Sequence, residues 1–238
     1  MKHPAKCRQP RYPQLVPAAT CNLFPARGSV QLLGMLDAMN HGFAAALLAC
    51  GFFTGIGATA LADDSPPANL LIYNPGKLKP VDSKLKVKVG DLAPDFKLRA
   101  VNGGEISLKQ FREKKNIVIS FVPAAFTPVC SAQWPGYNLV QDLFQKHNAV
   151  LLGITTDNLP SLYAWTREMG DIRFDVLSDF YPHGAVAGAY GVLRRDGTAE
   201  RALFVIDKQG VIRYIDVHDI NQRPPLEDLA AALDKLPN

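Results

Sequence analysis

Cysteine is scarce in this 238-residue chain: the four thiols stand at 7, 21, 50 and 130, so Cys130 is alone after the first 50 residues. No C-x-x-C or C-x-x-C-H spacing occurs, which removes a dithiol oxidoreductase, a haem-attachment site and a cysteine metal cluster from consideration. Charge of one sign is missing too. Positions 1–62 hold five basic residues and one acidic residue, while the remainder carries 21 of each and no like-charge block longer than Lys114-Lys115. A nucleic-acid footprint is therefore absent. No internal repeat or low-complexity tract follows residue 85.

Long apolar runs are equally rare. The one from Gly42 to Ala62 has no charge and ends in Ala60-Leu61-Ala62 before Asp63-Asp64. It has the form of an export signal with an A-x-A cleavage site, closing an N-terminal extension over 1–62. Met35 and Met39 are alternative starts that would shorten it to an ordinary signal. An uncleaved membrane anchor is the competing reading, since about 20 apolar residues span a bilayer; four glycines and the small-residue end favour cleavage. Leu47-Leu48-Ala49-Cys50 resembles a lipobox, but the chain stays apolar from Gly51 to Ala62, which disfavours a lipoprotein. Residues 63–85 are rich in Pro, Asn, Asp and Lys around Leu70-Leu71-Ile72-Tyr73, and are expected to be a linker docking loosely on a domain over 86–238.

Within that domain, Asp95 to Ala100 is expected as a strand, Asn102-Gly103-Gly104 as a hairpin turn and Glu105 to Leu108 as its return. The β-branched run Asn116 to Val122 suits a central strand buried on both faces, stopped by Pro123. Apolar spacing predicts a helix from Thr127 to Lys146, kinked at Pro135-Gly136. A strand over 149–155, a helix over 159–169 ended by Gly170, a strand over 174–177 and a short helix over 184–190 follow. Arg201 to Ile206 should pair with Val211 to Val217 across Asp207-Lys208-Gln209-Gly210, before a last helix over 225–236. This order predicts an α/β protein with a thioredoxin-like fold: a central mixed sheet flanked by helices, with an N-terminal β-hairpin.

Cys130 falls in the first turn of a helix that directly follows a central strand. Unpaired amide N–H groups and the positive end of the helix dipole favour a thiolate there, and only the thiolate is a good nucleophile. Thr127 can donate its hydroxyl to the sulfur or to a bound oxygen, and Pro123 and Pro128 narrow the loop. The competing reading, a buried inert thiol, does not account for the whole context.

Pro123-x-x-x-Thr127-x-x-Cys130 matches the P-x-x-x-T-x-x-C signature of the peroxiredoxins, and the chain resembles that family, the alkyl hydroperoxide reductase and thiol-specific antioxidant proteins, over about Val87 to Asn238. Gly90-Asp-Leu-Ala-Pro-Asp-Phe96 shares in the likeness. Leu177-Ser-Asp-Phe-Tyr-Pro-His-Gly-Ala-Val186, with Tyr190-Gly191-Val192, looks like the one-cysteine alkyl hydroperoxide reductase E type. The resemblance implies that Cys130 is the peroxidatic nucleophile, that Arg201 holds the thiolate and polarises the peroxide, that Thr127 orients the oxygens and that Pro123 shields the sulfenate. It also implies a hydroperoxide substrate, no cofactor or metal, an external thiol reductant of the thioredoxin-like, glutaredoxin-like or low-molecular-weight kind, and a homodimer or larger assembly. Chemistry agrees about Arg201, whose guanidinium fork can bind the oxygen on which charge develops as the O–O bond breaks. Two features depart from the family pattern: Gln133 stands where Glu is frequent, and Trp134-Pro-Gly-Tyr137 looks closer to a peroxiredoxin-five-like branch.

Other residues attract simpler readings. His183 is better explained by the turn around Pro182 and Gly184 than by acid–base work, and His147 and His218 read as surface or loop residues. Trp165, Tyr163, Phe121 and Phe204 suit packing. A peroxide-sensing redox relay and a noncatalytic thioredoxin-like binding module stay open as alternatives at this point. Export would leave Asp63 as the amino terminus of the native protein, which mass spectrometry reads directly; a mature chain still beginning at Met1 would rule it out.

Overall fold

The computed structural model describes residues 71–170 and 172–237. The expected signal sequence over 42–62 and the first part of the linker lie outside the described residues. Among the described residues no helix is long and apolar enough to cross a membrane.

Seven strands form one sheet: β1 (Lys97–Ala100), β2 (Glu105–Ser107), β3 (Asn116–Phe121), β4 (Ala149–Thr155), β5 (Asp175–Ser178), β6 (Arg201–Ile206) and β7 (Ile212–His218). Their spatial order is β2-β1-β5-β4-β3-β6-β7. β4 lies parallel to β3 and β5, while β6 runs antiparallel to both β3 and β7. This is the mixed sheet, with its N-terminal hairpin, that the order of elements predicts. Five helices flank it: α1 (Pro128–Asn138), α2 (Gln141–Lys146), α3 (Leu159–Glu168), α4 (Ala185–Tyr190) and α5 (Leu226–Asp234).

Period-two alternation distributes the core over both faces of the sheet. Ile117, Ile119 and Phe121 of β3 join the cluster that contains Tyr190 and Phe204. Val118 and Val122 join the other, with Cys130, Trp134, Trp165, Leu229 and Leu233. Every residue of β3 and β6 is buried, the mainly apolar runs being interrupted by Asn116, Ser120 and Arg201. Gly153 makes room for α1 on β4: a Cβ there would meet Trp134 Cζ2 at 2.7 Å.

One expectation fails in detail. The kinked helix over 127–146 is two helices, and the break falls at Leu139 and Val140 instead of Pro135-Gly136. Pro135 stays inside α1 because Trp134 before it and Tyr137 two residues after it are buried in the core. Packing outweighs the one backbone hydrogen bond that proline removes. The helix ends where its side chains lose that contact: Leu139 is 88% exposed. The Leu139 and Val140 N–H groups donate back only three residues, to Gly136 and Tyr137, at 3.3 Å each.

The chain before the domain also departs from the loose linker expected. Tyr73 N–H donates to the Phe126 carbonyl at 2.7 Å, Leu78 N–H to Asn221 Oδ1 at 2.8 Å, and Asp82 N–H to Glu200 Oε1 at 2.6 Å. Residues 71–86 are thus fastened to the domain at several points. Lys86 N–H donates to the Tyr190 carbonyl at 3.2 Å, just beside Gly191. Gly191 has φ of +78°, and a Cβ there would lie 2.3 Å from Lys86 N and 2.5 Å from the Lys84 carbonyl oxygen. Gly191→Ala should cost about 1–3 kcal/mol through left-handed strain and displacement of this chain, measured as a lower urea midpoint; an unchanged midpoint would contradict the close approach.

Candidate active site

The site forms where β3 gives way to α1. Pro123, buried, ends the strand, and the loop turns through Phe126, whose φ of 56° is unusual for a bulky residue. Asp157 steadies this loop by accepting the Ala125 N–H at 2.8 Å and the Thr155 hydroxyl. Thr127 caps α1 and Pro128 opens it, a position where proline's missing N–H costs nothing. Cys130 is the third residue of the helix and is fully buried.

Sheet register brings Arg201 to the same point. Phe121, the last residue of β3, pairs with Ala202, so Arg201 lies one step beyond, beside the loop that leads into α1. Its Nη2 donates to Cys130 Sγ at 3.5 Å and to the Ile220 carbonyl at 3.0 Å. Its Nε donates to the same carbonyl at 3.2 Å, and its Nη1 to Gln133 Oε1 at 2.5 Å. These partners hold the guanidinium plane, and the two carbonyls among them carry no charge, so the group faces the sulfur with its own charge uncancelled by them.

Gln133 connects the pair to the core. Its amide donates to the Tyr137 hydroxyl at 2.9 Å and to Ser120 Oγ at 3.4 Å, and Ser120 Oγ also accepts from Trp134 Nε1 at 3.2 Å. Burial pushes the Tyr137 phenol above its ordinary range, so it stays neutral inside this network. Through its hydroxyl on the Gln133 amide, Tyr137 belongs to the network that positions Arg201.

Cys130, Arg201 and Pro123, three of the four expected site residues, converge and line one cavity of about 490 Å³. Thr127 lines it as well, but its hydroxyl donates to the Ala124 carbonyl at 2.9 Å and not to the sulfur. Threonine hydroxyls at helix starts readily donate to a backbone carbonyl of their own turn. The Ile220 carbonyl, Asp157 and the chain over 73–78 were not anticipated; a backbone acceptor and contacts between residues 32 to 143 positions apart leave no local signature. His183 Nε2 lies 2.7 Å from the Gly197 carbonyl, in the turn expected of it. His147 and His218 are less isolated than expected, at 3.2 Å from Asp234 and 3.3 Å from Asp216. Trp165, Phe121 and Phe204 are buried, whereas Tyr163 is exposed beneath the Arg167 guanidinium. Among the described residues, no group of three or more His, Cys, Asp or Glu side chains could hold a metal.

Comparison with known proteins agrees with this geometry. The AhpC/TSA family model matches residues 89–215, more than half of the chain. The chain belongs to the AhpC/TSA family. Alkyl hydroperoxide reductase E of Mycobacterium bovis is 36% identical over 132 residues, covering 55% of this chain and 86% of that protein. The chloroplastic 2-cysteine peroxiredoxin of Chattonella marina var. antiqua is 32% identical over 146 residues, covering 58% and 74%. The reduced 2-Cys peroxiredoxin of Plasmodium vivax superposes with a TM-score of 0.59 at 30% identity, over 62% of this chain and 81% of that one. This AhpC/TSA protein has the thioredoxin-like fold and is a thiol-dependent peroxidase, with a peroxide as oxidant and a thiol as reductant. The noncatalytic module and the sensing relay find no support among these relatives.

In this peroxiredoxin, Gln133→Leu would take the side-chain acceptor from Arg201 Nη1 and one of two side-chain partners from the Tyr137 hydroxyl in the core. The loss should be about 1–3 kcal/mol, read from urea unfolding; an unchanged stability would mean that the Gln133 contacts are dispensable.

Proposed function

We propose that Cys130 is the peroxidatic thiol of a one-cysteine cycle, with Arg201, Thr127 and Pro123 forming its pocket. The observation that carries the reading is the Arg201 Nη2 to Cys130 Sγ distance of 3.5 Å at the start of a helix, with both side chains buried. The guanidinium and the helix terminus together supply the positive surroundings a thiolate needs. The thiolate attacks the terminal oxygen of the hydroperoxide, an S–O bond forms as the O–O bond breaks, and the departing alkoxide or hydroxide takes a proton to leave as alcohol or water. Arg201 donors stabilise charge on the oxygens as it develops. Thr127, freed from the Ala124 carbonyl, orients the bound oxygen, and buried Pro123 keeps water from the sulfenic acid.

Cys130 is the one free cysteine among the described residues, and the domain over 86–238 contains no other. Resolution therefore falls to an external thiol: one thiol condenses with the sulfenic acid to give a mixed disulfide and water, and a second releases Cys130 as a thiol and leaves with the first as a disulfide. The reductant is of the thioredoxin-like, glutaredoxin-like or low-molecular-weight class. Export to the periplasm is the location we favour, on the strength of the apolar run over 42–62 and its Ala60-Leu61-Ala62 end. A second copy of the chain is the favoured partner, since Phe180 and Tyr181 present aromatic surface, with Tyr181 88% exposed.

Trp165 Nε1 donates to Ser131 Oγ at 2.9 Å, next to Cys130, so indole fluorescence should follow oxidation. Stopped-flow mixing with hydrogen peroxide is expected to give a second-order reaction orders of magnitude faster than free cysteine. Cys130→Ser should abolish it and Arg201→Ala should slow it on the order of 10²–10³-fold. A rate equal to that of free cysteine would refute the assignment of Cys130.

A further inference from the structure

The cavity over Cys130 is completed by a segment that precedes the family-matched region 89–215. Tyr73, Pro75 and Leu78 of that segment line it together with Pro123, Val129 and Ile220, and Tyr73, 71% exposed, stands at its outer wall. The walls are mainly apolar, and the volume, about 490 Å³, far exceeds what hydrogen peroxide needs. A water molecule's share of liquid volume is about 30 Å³, and hydrogen peroxide takes roughly twice that. Space of this size and character suits a ligand with a substantial apolar body.

The outer wall is fixed in place from both ends. Tyr73 N–H donates to the carbonyl of Phe126, the strained residue of the loop leading to the thiol. Leu78 is held twice by Asn221, which accepts its N–H at 2.8 Å and donates Nδ2–H to its carbonyl at 2.9 Å. Just beyond, Arg194 Nη2 donates to the Lys79 carbonyl at 3.1 Å, and Glu200 binds both Asp82 N–H and Arg194 Nη1 at 2.6 Å each. Arg194 and Glu200 are buried, so this clamp is an ion pair sheltered from water, unlike a surface contact that salt would screen.

We propose that Tyr73, Pro75 and Leu78 are specificity-determining residues, whose side chains make the Cys130 site favour hydroperoxides carrying an apolar body over hydrogen peroxide. The inference rests on Cys130 being the peroxidatic thiol. Hydrogen peroxide leaves these side chains untouched, whereas an aryl or alkyl body buries carbon against them. Each methylene taken out of water is worth about fourfold in binding, so a few of them suffice to rank substrates.

The test uses the full chain carrying Tyr73→Ser together with Leu78→Ser. These changes keep the backbone groups that fasten the segment and remove its apolar surface. Second-order rate constants for cumene hydroperoxide and for hydrogen peroxide are measured by stopped flow, and their ratio is compared with that of the unmodified chain. The ratio should fall about tenfold, and Asn221→Ala, which releases Leu78, should lower it in the same sense. A fall smaller than threefold in the double variant, with the unmodified chain fast towards both peroxides, overturns this inference alone. An unmodified chain as slow as free cysteine with both peroxides overturns the assignment of Cys130 and this inference with it.

Discussion

A guanidinium buried among neutral groups is the constraint around which the molecule is arranged. Arg201 is only 1% exposed, and its hydrogen-bond partners are the Ile220 carbonyl, the Gln133 side-chain carbonyl and the Cys130 sulfur. Removing a full charge from water costs several kcal/mol unless dipoles or an opposite charge compensate it. The two carbonyls orient the group but bring no charge. Cys130 Sγ lies against the same guanidinium at 3.5 Å, so the charge that must be buried is set beside the sulfur.

The rest of the fold serves that meeting. Antiparallel pairing of β6 with β3 sets Arg201 level with the end of the central strand, and the turn after Pro123 sets Cys130 in the first turn of α1. α1 is pressed to the sheet by Trp134, which fits because Gly153 has no side chain and which packs on Trp165 at a ring separation of 4.8 Å. Gln133 and Tyr137 lie on the same buried face of α1, so the helix that carries the sulfur also carries the groups that orient its partner. Displacement of α1 would disturb both together.

Much of this could be read from the sequence, and what could not has an identifiable cause. β4 and β6 begin and end where expected because mainly apolar runs between turn residues leave little choice of boundary. Cys130, Pro123 and Arg201 were legible because motif spacing and strand order encode their proximity. Pro135 misled, since local helix-breaking chemistry yielded to the burial of its neighbours. The hydroxyl of Thr127 turned to Ala124 because a donor can choose among acceptors that sequence does not rank. The segment 71–86 passed for a linker: its composition is that of one, and its fastenings to Asn221, Glu200 and Arg194 lie more than a hundred residues away.

The pairing of Leu78 with Asn221 spans 143 positions. Contacts of such separation form late, because the entropy of closing a long loop must be met before they contribute. During synthesis the thiol leaves the ribosome well before Arg201, and both precede the residue that secures the outer wall. The pocket is thus among the last features the chain acquires, and a partly made or still unfolded molecule holds Cys130 without Arg201 beside it. The reactivity proposed for Cys130 is therefore tied to the completed fold, and its appearance would report that folding has finished.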